Sequence, residues 1–213
     1  MKRLLLLAAT AFMLSSCSKS GSNDPEPEKP TGTTVTINNV AYPTISIGSQ
    51  SWTTVNYRGD GGTAYNNAST VDVKQGKLYT WTEAIAIAVP NGWRLPTLVD
   101  YKALAASQGG TTSTISNELL NATNTKKLLS KDWTAMGGTN TSGFNALPVG
   151  VYYGTRFREQ GTGTSLWTSL QVNTQSATAI HIIDHQDPSV TFATSSDSEN
   201  KTEKFSIRFV KDN

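Results

Sequence analysis

The chain of 213 residues contains a single cysteine, Cys17, close to its N-terminus. A lone thiol cannot form an intrachain disulfide, and the sequence after Cys17 has no thiolate with which to bind zinc. The rest of the chain must therefore hold its fold together by burying apolar side chains. Large aromatic residues supply much of the area in such a core. The tryptophans are spread along the chain at Trp52, Trp81, Trp93, Trp133 and Trp167.

The segment that ends at Cys17 has the layout of a secretory signal peptide. A basic start, Met1–Arg3, precedes the apolar run Leu4–Leu14, which is too short to cross a bilayer as a helix. The next residues complete the sequence Leu-Ser-Ser-Cys, which resembles the lipobox of bacterial lipoproteins and implies acylation of the Cys17 thiol. We expect residues 1–17 to be a lipoprotein signal peptide and Cys17 to anchor an outer-membrane lipoprotein of the cell envelope. A secreted protein with a chance cysteine is the alternative, and the sequence leaves the periplasmic or surface side open.

Residues 18–34 are predicted to be a disordered tether. They are rich in Ser, Gly, Pro and Glu and lack the apolar periodicity that a packed element needs. The whole sequence has 18 basic and 16 acidic residues, and loss of Lys2 and Arg3 with the signal peptide makes these numbers equal. A neutral chain without a basic patch gives no reason to expect a nucleic-acid partner.

Residues 35–213 have the usual length of one domain with its own core. Alternation of apolar and polar residues predicts strands near both ends of this region, with a turn at Asn38–Asn39 between the first two. The predicted strands are 33–37, 42–47, 52–57, 149–153, 166–170, 178–183, 190–193 and 205–210. Because strands and helices fall in separate blocks, the pattern predicts an α+β fold class.

Two helices are predicted in the middle of the chain. Thr80 and Glu83 form a capping box that opens a helix through residue 88, and Thr97 with Asp100 opens a second helix that ends at Gly109–Gly110. Further helical turns are expected near 117–120 and 126–129. The residues expected on the buried faces are Trp81, Ala84, Ile85 and Ala88 in the first helix, and Tyr101, Leu104 and Ala105 in the second.

Five sequence segments, in this order, carry a resemblance to a known family. They are Lys-Leu-Tyr-Thr-Trp at 77–81, Gly-Trp-Arg-Leu-Pro-Thr at 92–97, Ser-Gly-Phe-Asn-Ala-Leu-Pro at 142–148, Leu-Trp-Thr-Ser at 166–169 and Phe-Ser-Ile-Arg-Phe-Val-Lys-Asp at 205–212. This series resembles the Fibrobacter succinogenes major paralogous domain, common in lipoproteins of the Bacteroidetes. The resemblance implies a C-type-lectin-like fold, with two main helices packed on short antiparallel sheets and the chain ends close together.

We expect no enzymatic activity and no cofactor. The segment at 92–97 is also similar to formylglycine-generating enzymes, but those act through cysteines, and none follows Cys17. A hydrolase could use His181 or His185, yet the sequence has no Gly-x-Ser-x-Gly elbow. On a strand these two histidines would lie about 13 Å apart, so we interpret them as a strand and a turn residue and predict no metal site. Calcium-dependent lectins of the implied fold use Glu-Pro-Asn and Trp-Asn-Asp motifs that are missing here.

Ligand binding is the function class that remains. The stretch from 151 to 187 is rich in aromatic rings, arginines and amides, which suit sugars and protein surfaces alike. The predicted ligand-binding residues are Tyr152, Tyr153, Arg156, Arg158, Trp167, Gln171 and Asn173. We expect a non-catalytic binding or adhesion module for a glycan or protein ligand, and a structural subunit of a surface assembly is the alternative.

Overall fold

The structure, a computed structural model, describes residues 33–110, 118–184, 190–194 and 198–213. The predicted signal peptide, Cys17, nearly all of the tether and His185 lie outside these residues. None of the helices in the described part of the chain has the length and apolar character that a bilayer span requires.

The described residues form two β-sheets and a few short helices. The strands are β1 (Thr34–Ile37), β2 (Val40–Ile47), β3 (Gln50–Thr53), β4 (Trp93–Arg94), β5 (Glu118–Leu120), β6 (Val149–Tyr153), β7 (Arg156–Gln160), β8 (Gly163–Gln171), β9 (Ser176–Asp184), β10 (Val190–Thr194), β11 (Glu199–Asn200) and β12 (Val210–Asp212). The helices are α1 (Trp81–Ile85), α2 (Leu98–Ser107) and α3 (Ala122–Thr125), with a 3-10 turn at Tyr65–Asn67.

The first sheet has five strands in the order β1-β2-β3-β12-β4, and every pair in it is antiparallel. Asn38 and Asn39 join β1 to β2 with φ angles of 47° and 62°, the left-handed backbone that two-residue hairpin loops require. The predicted turn is therefore confirmed. The first and last described strands, β1 and β12, belong to the same sheet.

The second sheet has seven strands in the order β5-β10-β9-β8-β6-β7, with β11 paired to β9. Its pairs are antiparallel except for β6 with β8, which run parallel through Gly150 and Thr164. Alternate residues of β8 enter two different cores: Leu166 packs with Trp52 and Tyr101, whereas Trp167 packs with Tyr79 and Phe205. This sheet is therefore buried on both faces along much of its length.

The predicted fold class, α+β with a C-type-lectin-like pair of main helices, is wrong. Strands account for 39% of the described residues and helices for 13%. Both predicted capping boxes exist, at Thr80 with Glu83 and at Thr97 with Asp100. A capping box fixes where a helix begins but not its length: α1 has only five residues and α2 has ten. The described part of the chain is therefore mostly β, in keeping with the preference of aromatic and β-branched residues for strands.

Local helix predictions fail for related reasons. Ile85 is 48% exposed, since α1 ends there and its predicted buried face does not continue to residue 88. The face predicted for α2 is confirmed, because Tyr101, Leu104 and Ala105 are all buried. The turn predicted near 117–120 is instead β5, and the helical turn expected at 126–129 begins earlier, as α3.

Candidate functional site

An open groove lies between the β6–β7 hairpin and the adjoining strands of the second sheet. Its volume is about 240 Å³. We call it the His181 groove and define it by its lining residues Val151, Tyr153, Arg158, Glu159, Ser165, His181, Ile183 and Glu199. Six of these eight side chains are polar or ionisable, so the groove can offer hydrogen bonds and charge to a ligand.

Strand pairing places the polar floor of the groove. Ser165 of β8 and His181 of β9 are direct partners in the antiparallel register, so their side chains lie on the same face of the sheet. Further along this face, Trp167 and Ala179 are covered by the Phe205 core. The rings of His181 and Phe205 lie nearly perpendicular to each other, with 5.9 Å between their centroids. The groove therefore begins where the sheet emerges from its aromatic core.

His181 is hydrogen-bonded through both ring nitrogens. Its Nδ1 lies 2.8 Å from Ser165 Oγ, and its Nε2 lies 3.0 Å from Glu199 Oε1. An ionised carboxylate can only accept, so Nε2 carries the hydrogen that points at Glu199. In the neutral imidazole Nδ1 is then the acceptor for the Ser165 hydroxyl. The His181 and Glu199 side chains are only 18% and 12% exposed, which keeps water from competing for these bonds.

An aromatic ring and a cation form the outer wall. Tyr153 is 41% exposed, and the Arg158 guanidinium lies 5.4 Å from the centroid of its ring. The nearby Glu199 carboxylate, together with partial burial, raises the pKa of Tyr153. The phenol therefore stays neutral at physiological pH and presents a hydroxyl beside a planar cation.

The second carboxylate of the groove is held by an unusual backbone. Glu159 has a φ of 65°, a left-handed conformation that glutamate rarely adopts. Its Oε2 would lie 2.7 Å from a Cβ placed on Gly163, so the carboxylate can rest there only because residue 163 is glycine. Strained residues of this kind concentrate at functional sites.

The structure divides the predicted ligand-binding residues into several groups. Tyr153 and Arg158 line the groove together. Tyr152 is half-buried beneath Lys204, whose Nζ lies 5.3 Å from the ring centroid. Trp167 has no exposed surface, and its indole donates to the carbonyl of Tyr79 at 2.7 Å. Trp167 is thus a core residue, which corrects its expected place on an exposed ligand face.

The other three predicted residues lie away from the groove. Arg156 is exposed at the tip of the β6–β7 hairpin. Gln171 is the last residue of β8, at the opposite end of the strand from Ser165, Asn173 lies just beyond it, and both are exposed. The Asn173 Oδ1 accepts hydrogen bonds from the backbone of Gln175 and Ser176, so this amide shapes the turn into β9.

Sequence reasoning missed Glu159, Ser165 and Glu199, and it interpreted His181 as a strand residue without a role. Ser165 and Glu199 lie 16 and 18 residues from His181, so no local motif joins them. One signal was available: pairing the predicted strands 166–170 and 178–183 about a turn at Asn173 places Ser165 opposite His181. The contribution of Glu199 depends on the short strand β11, which no period-two pattern marks.

Other cavities in the described residues are weaker candidates. A cavity of about 420 Å³ is lined by Lys74, Lys131, Asp132 and Asn145 among others. Two polar groups of Asn145 already have hydrogen-bond partners within the protein: its side-chain amide donates to Thr54 O, and its backbone carbonyl accepts from Arg208. No group of three or more His, Cys, Asp or Glu side chains able to hold a metal ion occurs in the described ranges.

The comparison with known families agrees with the five sequence segments noted above. Residues 45–211 match the model described as the Fibrobacter succinogenes major domain. Since this match spans more than half of the chain, the protein belongs to that family, and the predicted resemblance is confirmed. No curated protein and no solved structure matches the chain.

Proposed function

We propose that this chain is a lipoprotein of the cell envelope whose domain binds a glycan or protein ligand in the His181 groove. The observation that carries the proposal is the wall formed by Tyr153 and Arg158 facing the carboxylates of Glu159 and Glu199. An aromatic face next to hydrogen-bonding groups of both signs is the surface that sugars and protein side chains require.

The size of the groove limits the ligand. Pockets for whole drug-sized molecules span about 300–1,000 Å³. A groove of about 240 Å³ accommodates one compact group, such as a single sugar ring at the end of a longer glycan. Its carboxylates can accept from sugar hydroxyls, and Arg158 can donate to ring or hydroxyl oxygens. We therefore favour a glycan over a protein ligand.

The membrane anchor is the second part of the proposal. Cys17 follows an apolar run and small residues, as a lipidated cysteine would. Each buried methylene of an acyl chain contributes about 0.8 kcal/mol, so a multiply acylated Cys17 would hold the protein on a membrane. Metabolic labelling with a palmitate analogue should mark the wild type and not Cys17→Ala. Equal labelling of both proteins, or labelling of neither, would show that Cys17 is not the site of a lipid anchor.

A structural role in a surface assembly receives less support. β7 lies at the edge of the second sheet and carries Arg156 and Arg158, both exposed. Charged side chains on an edge strand oppose the addition of a strand from another subunit. We therefore do not extend the proposal to strand-mediated assembly through β7.

Binding is tested on a glycan array with the purified wild type, Tyr153→Ala and Arg158→Ala. Val99→Ala is the matched control, because Val99 is 73% exposed on α2 and lies outside the groove. We expect wild type and Val99→Ala to bind the same glycans and each groove variant to lose about tenfold or more in affinity, which is the effect of one truncated anchor residue. Binding that survives both groove substitutions would show that the site lies elsewhere.

A further inference from the structure

The floor of the His181 groove holds three groups in the order that activates a hydroxyl. Ser165, His181 and Glu199 are joined by hydrogen bonds of 2.8 Å and 3.0 Å. The carboxylate fixes the imidazole so that its other nitrogen can accept the serine proton. All three residues line the groove, so a ligand bound in it lies against them.

We propose that Ser165 is a nucleophile that accepts a small acyl group from an ester bound in the groove. This inference rests on the proposed function, since the same groove must hold the ester. The Ser165 proton passes to His181 Nδ1 as Oγ bonds to the ester carbonyl carbon. The bond from that carbon to the alcohol oxygen then breaks, and the alcohol leaves with the proton from His181. Water, deprotonated by the same imidazole, releases the acyl group as a carboxylic acid and restores Ser165.

Three groups around Ser165 and His181 support this chemistry. Glu199 is a positioning residue, because it reaches the reaction only through the His181 ring. The Arg158 guanidinium is the cationic group of the lining and can donate to the oxygen that becomes negative during attack. Tyr153 lies beside Arg158 and offers its ring to the alcohol part of the ester.

Burial of the nucleophile determines the substrate class. Ser165 is only 2% exposed, so its hydroxyl lies at the bottom of the groove. Only a slim acyl group, such as acetyl, can reach it, while the alcohol portion remains in the outer part of the groove near the exposed Tyr153. The chemical class that fits both parts is a sugar that carries an O-acetyl group.

The test is acyl transfer from p-nitrophenyl acetate to the purified full-length protein, followed by peptide mapping by mass spectrometry. We expect one acetyl group on Ser165 in the wild type and hydrolysis of the ester above the rate of buffer. Ser165→Ala should lose the acetylated peptide and about 100-fold of the rate, the size of effect that acid–base and nucleophilic groups supply. The matched control is Ser46→Ala, whose hydroxyl is hydrogen-bonded to Ser51 in the first sheet, and it should match the wild type.

Two further variants test whether His181 and Glu199 activate the Ser165 hydroxyl or merely lie next to it. His181→Gln keeps a polar side chain but removes the base, so the acetylated peptide should be lost. Glu199→Gln should lower the rate and shift the midpoint of its pH profile, which a purely structural residue would not do. Unmodified Ser165 in the folded wild type, or an unchanged rate in Ser165→Ala, would overturn the inference.

The glycan array distinguishes this failure from failure of the proposed function. If wild type and Ser165→Ala bind glycans equally and Ser165 takes up no acetyl group, recognition stands and the nucleophile is rejected. If Ser165 is acetylated but the groove variants leave glycan binding intact, the nucleophile stands and the recognition site must be sought elsewhere. Should Ser165→Ala fail to fold, the peptide map of the wild type decides alone.

Discussion

The Nε of Arg208 donates to Oδ1 of Asn56 at 2.6 Å, and both side chains are almost completely buried. The rest of the guanidinium donates to the carbonyls of Thr53, Phe144 and Asn145. These acceptors belong to two segments, residues 53–56 and 144–145, that are distant in the sequence from each other and from Arg208. Burial lowers the pKa of Arg208, since it destabilises the charged form, and the four acceptors offset that cost. Arg208, just before β12, therefore joins the end of β3 and the residues after it to the loop before β6.

We predict that Arg208→Lys lowers the free energy of unfolding by about 3 kcal/mol or more. Lysine has a point charge in place of the planar fork, so at least two buried acceptors lose their donor. Urea denaturation of wild type and variant measures the difference. Arg156→Lys, at an exposed position, is the control and should leave stability almost unchanged. A loss below about 1 kcal/mol for Arg208→Lys would mean that the acceptors find other partners.

Asp100→Asn should destabilise the protein by about 2 kcal/mol at neutral pH. Burial acts to raise the pKa of Asp100, but hydrogen bonds from Arg94 and Thr97 outweigh it and hold the pKa below its ordinary value of 3.8. The Asp100 carboxylate also accepts from Gln50 Nε2 at 2.6 Å. All of these donors favour the ionised form.

The sign of this shift gives a pH test. Because the folded-state pKa is below the unfolded one, the stabilisation is complete above pH 3.8 and is lost as pH falls through the lowered pKa. The difference in free energy of unfolding between wild type and Asp100→Asn should therefore become smaller in strong acid. Asp60→Asn, at an exposed position, is the control. A gap that stays constant from neutral to strongly acidic pH would contradict the assigned role.

Trp167→Phe should lower stability by about 2–3 kcal/mol and leave glycan recognition intact. The change removes the hydrogen bond to Tyr79 O and leaves a void beside Phe205, whose ring lies 4.4 Å from that of Trp167. Thermal unfolding measures the first effect and the glycan array the second. If a folded Trp167→Phe protein lost glycan binding, Trp167 would have to be part of the ligand site.

Glu159→Gly should be more stable than Glu159→Ala by about 1 kcal/mol. Glycine relieves the left-handed backbone at φ 65°, whereas alanine keeps the strain. Both variants lose the carboxylate equally, so they should bind a glycan ligand equally weakly. Denaturant titration of Glu159→Gly and Glu159→Ala measures the cost of the left-handed backbone alone, because both variants lack the carboxylate. Equal stability of the two variants would show that residue 159 relaxes to another conformation.

Local chemistry made part of this fold predictable. The Asn38–Asn39 turn, the caps at Thr80 and Thr97, and the strand Val149–Tyr153 all depend on neighbouring residues, and the structure contains each of them. The strand orders were not predictable in this way, because they follow from pairings between segments far apart in the chain. The resemblance to a family gave the membership correctly, but the α+β, C-type-lectin-like fold with two main helices that it implied was wrong.

The candidate site shows the same division. Tyr153 and Arg158 were predicted as ligand-binding residues because their stretch of the sequence is rich in aromatic residues and arginines. The same reasoning wrongly included Trp167, because the sequence alone does not show which tryptophans are buried in the core. Ser165 and Glu199 are common residues with no local motif, and only the β8–β9 register and the β9–β11 pairing bring them to His181.

The position of β12 between β3 and β4 has a consequence for how the protein is made. β1, β2 and β3 leave the ribosome early, but the strand that completes their sheet is synthesised after every other described element. Until then, β3 presents unpaired backbone groups to any neighbouring chain. The sheet of a nascent chain therefore keeps an open edge at β3 until the last strand has been synthesised.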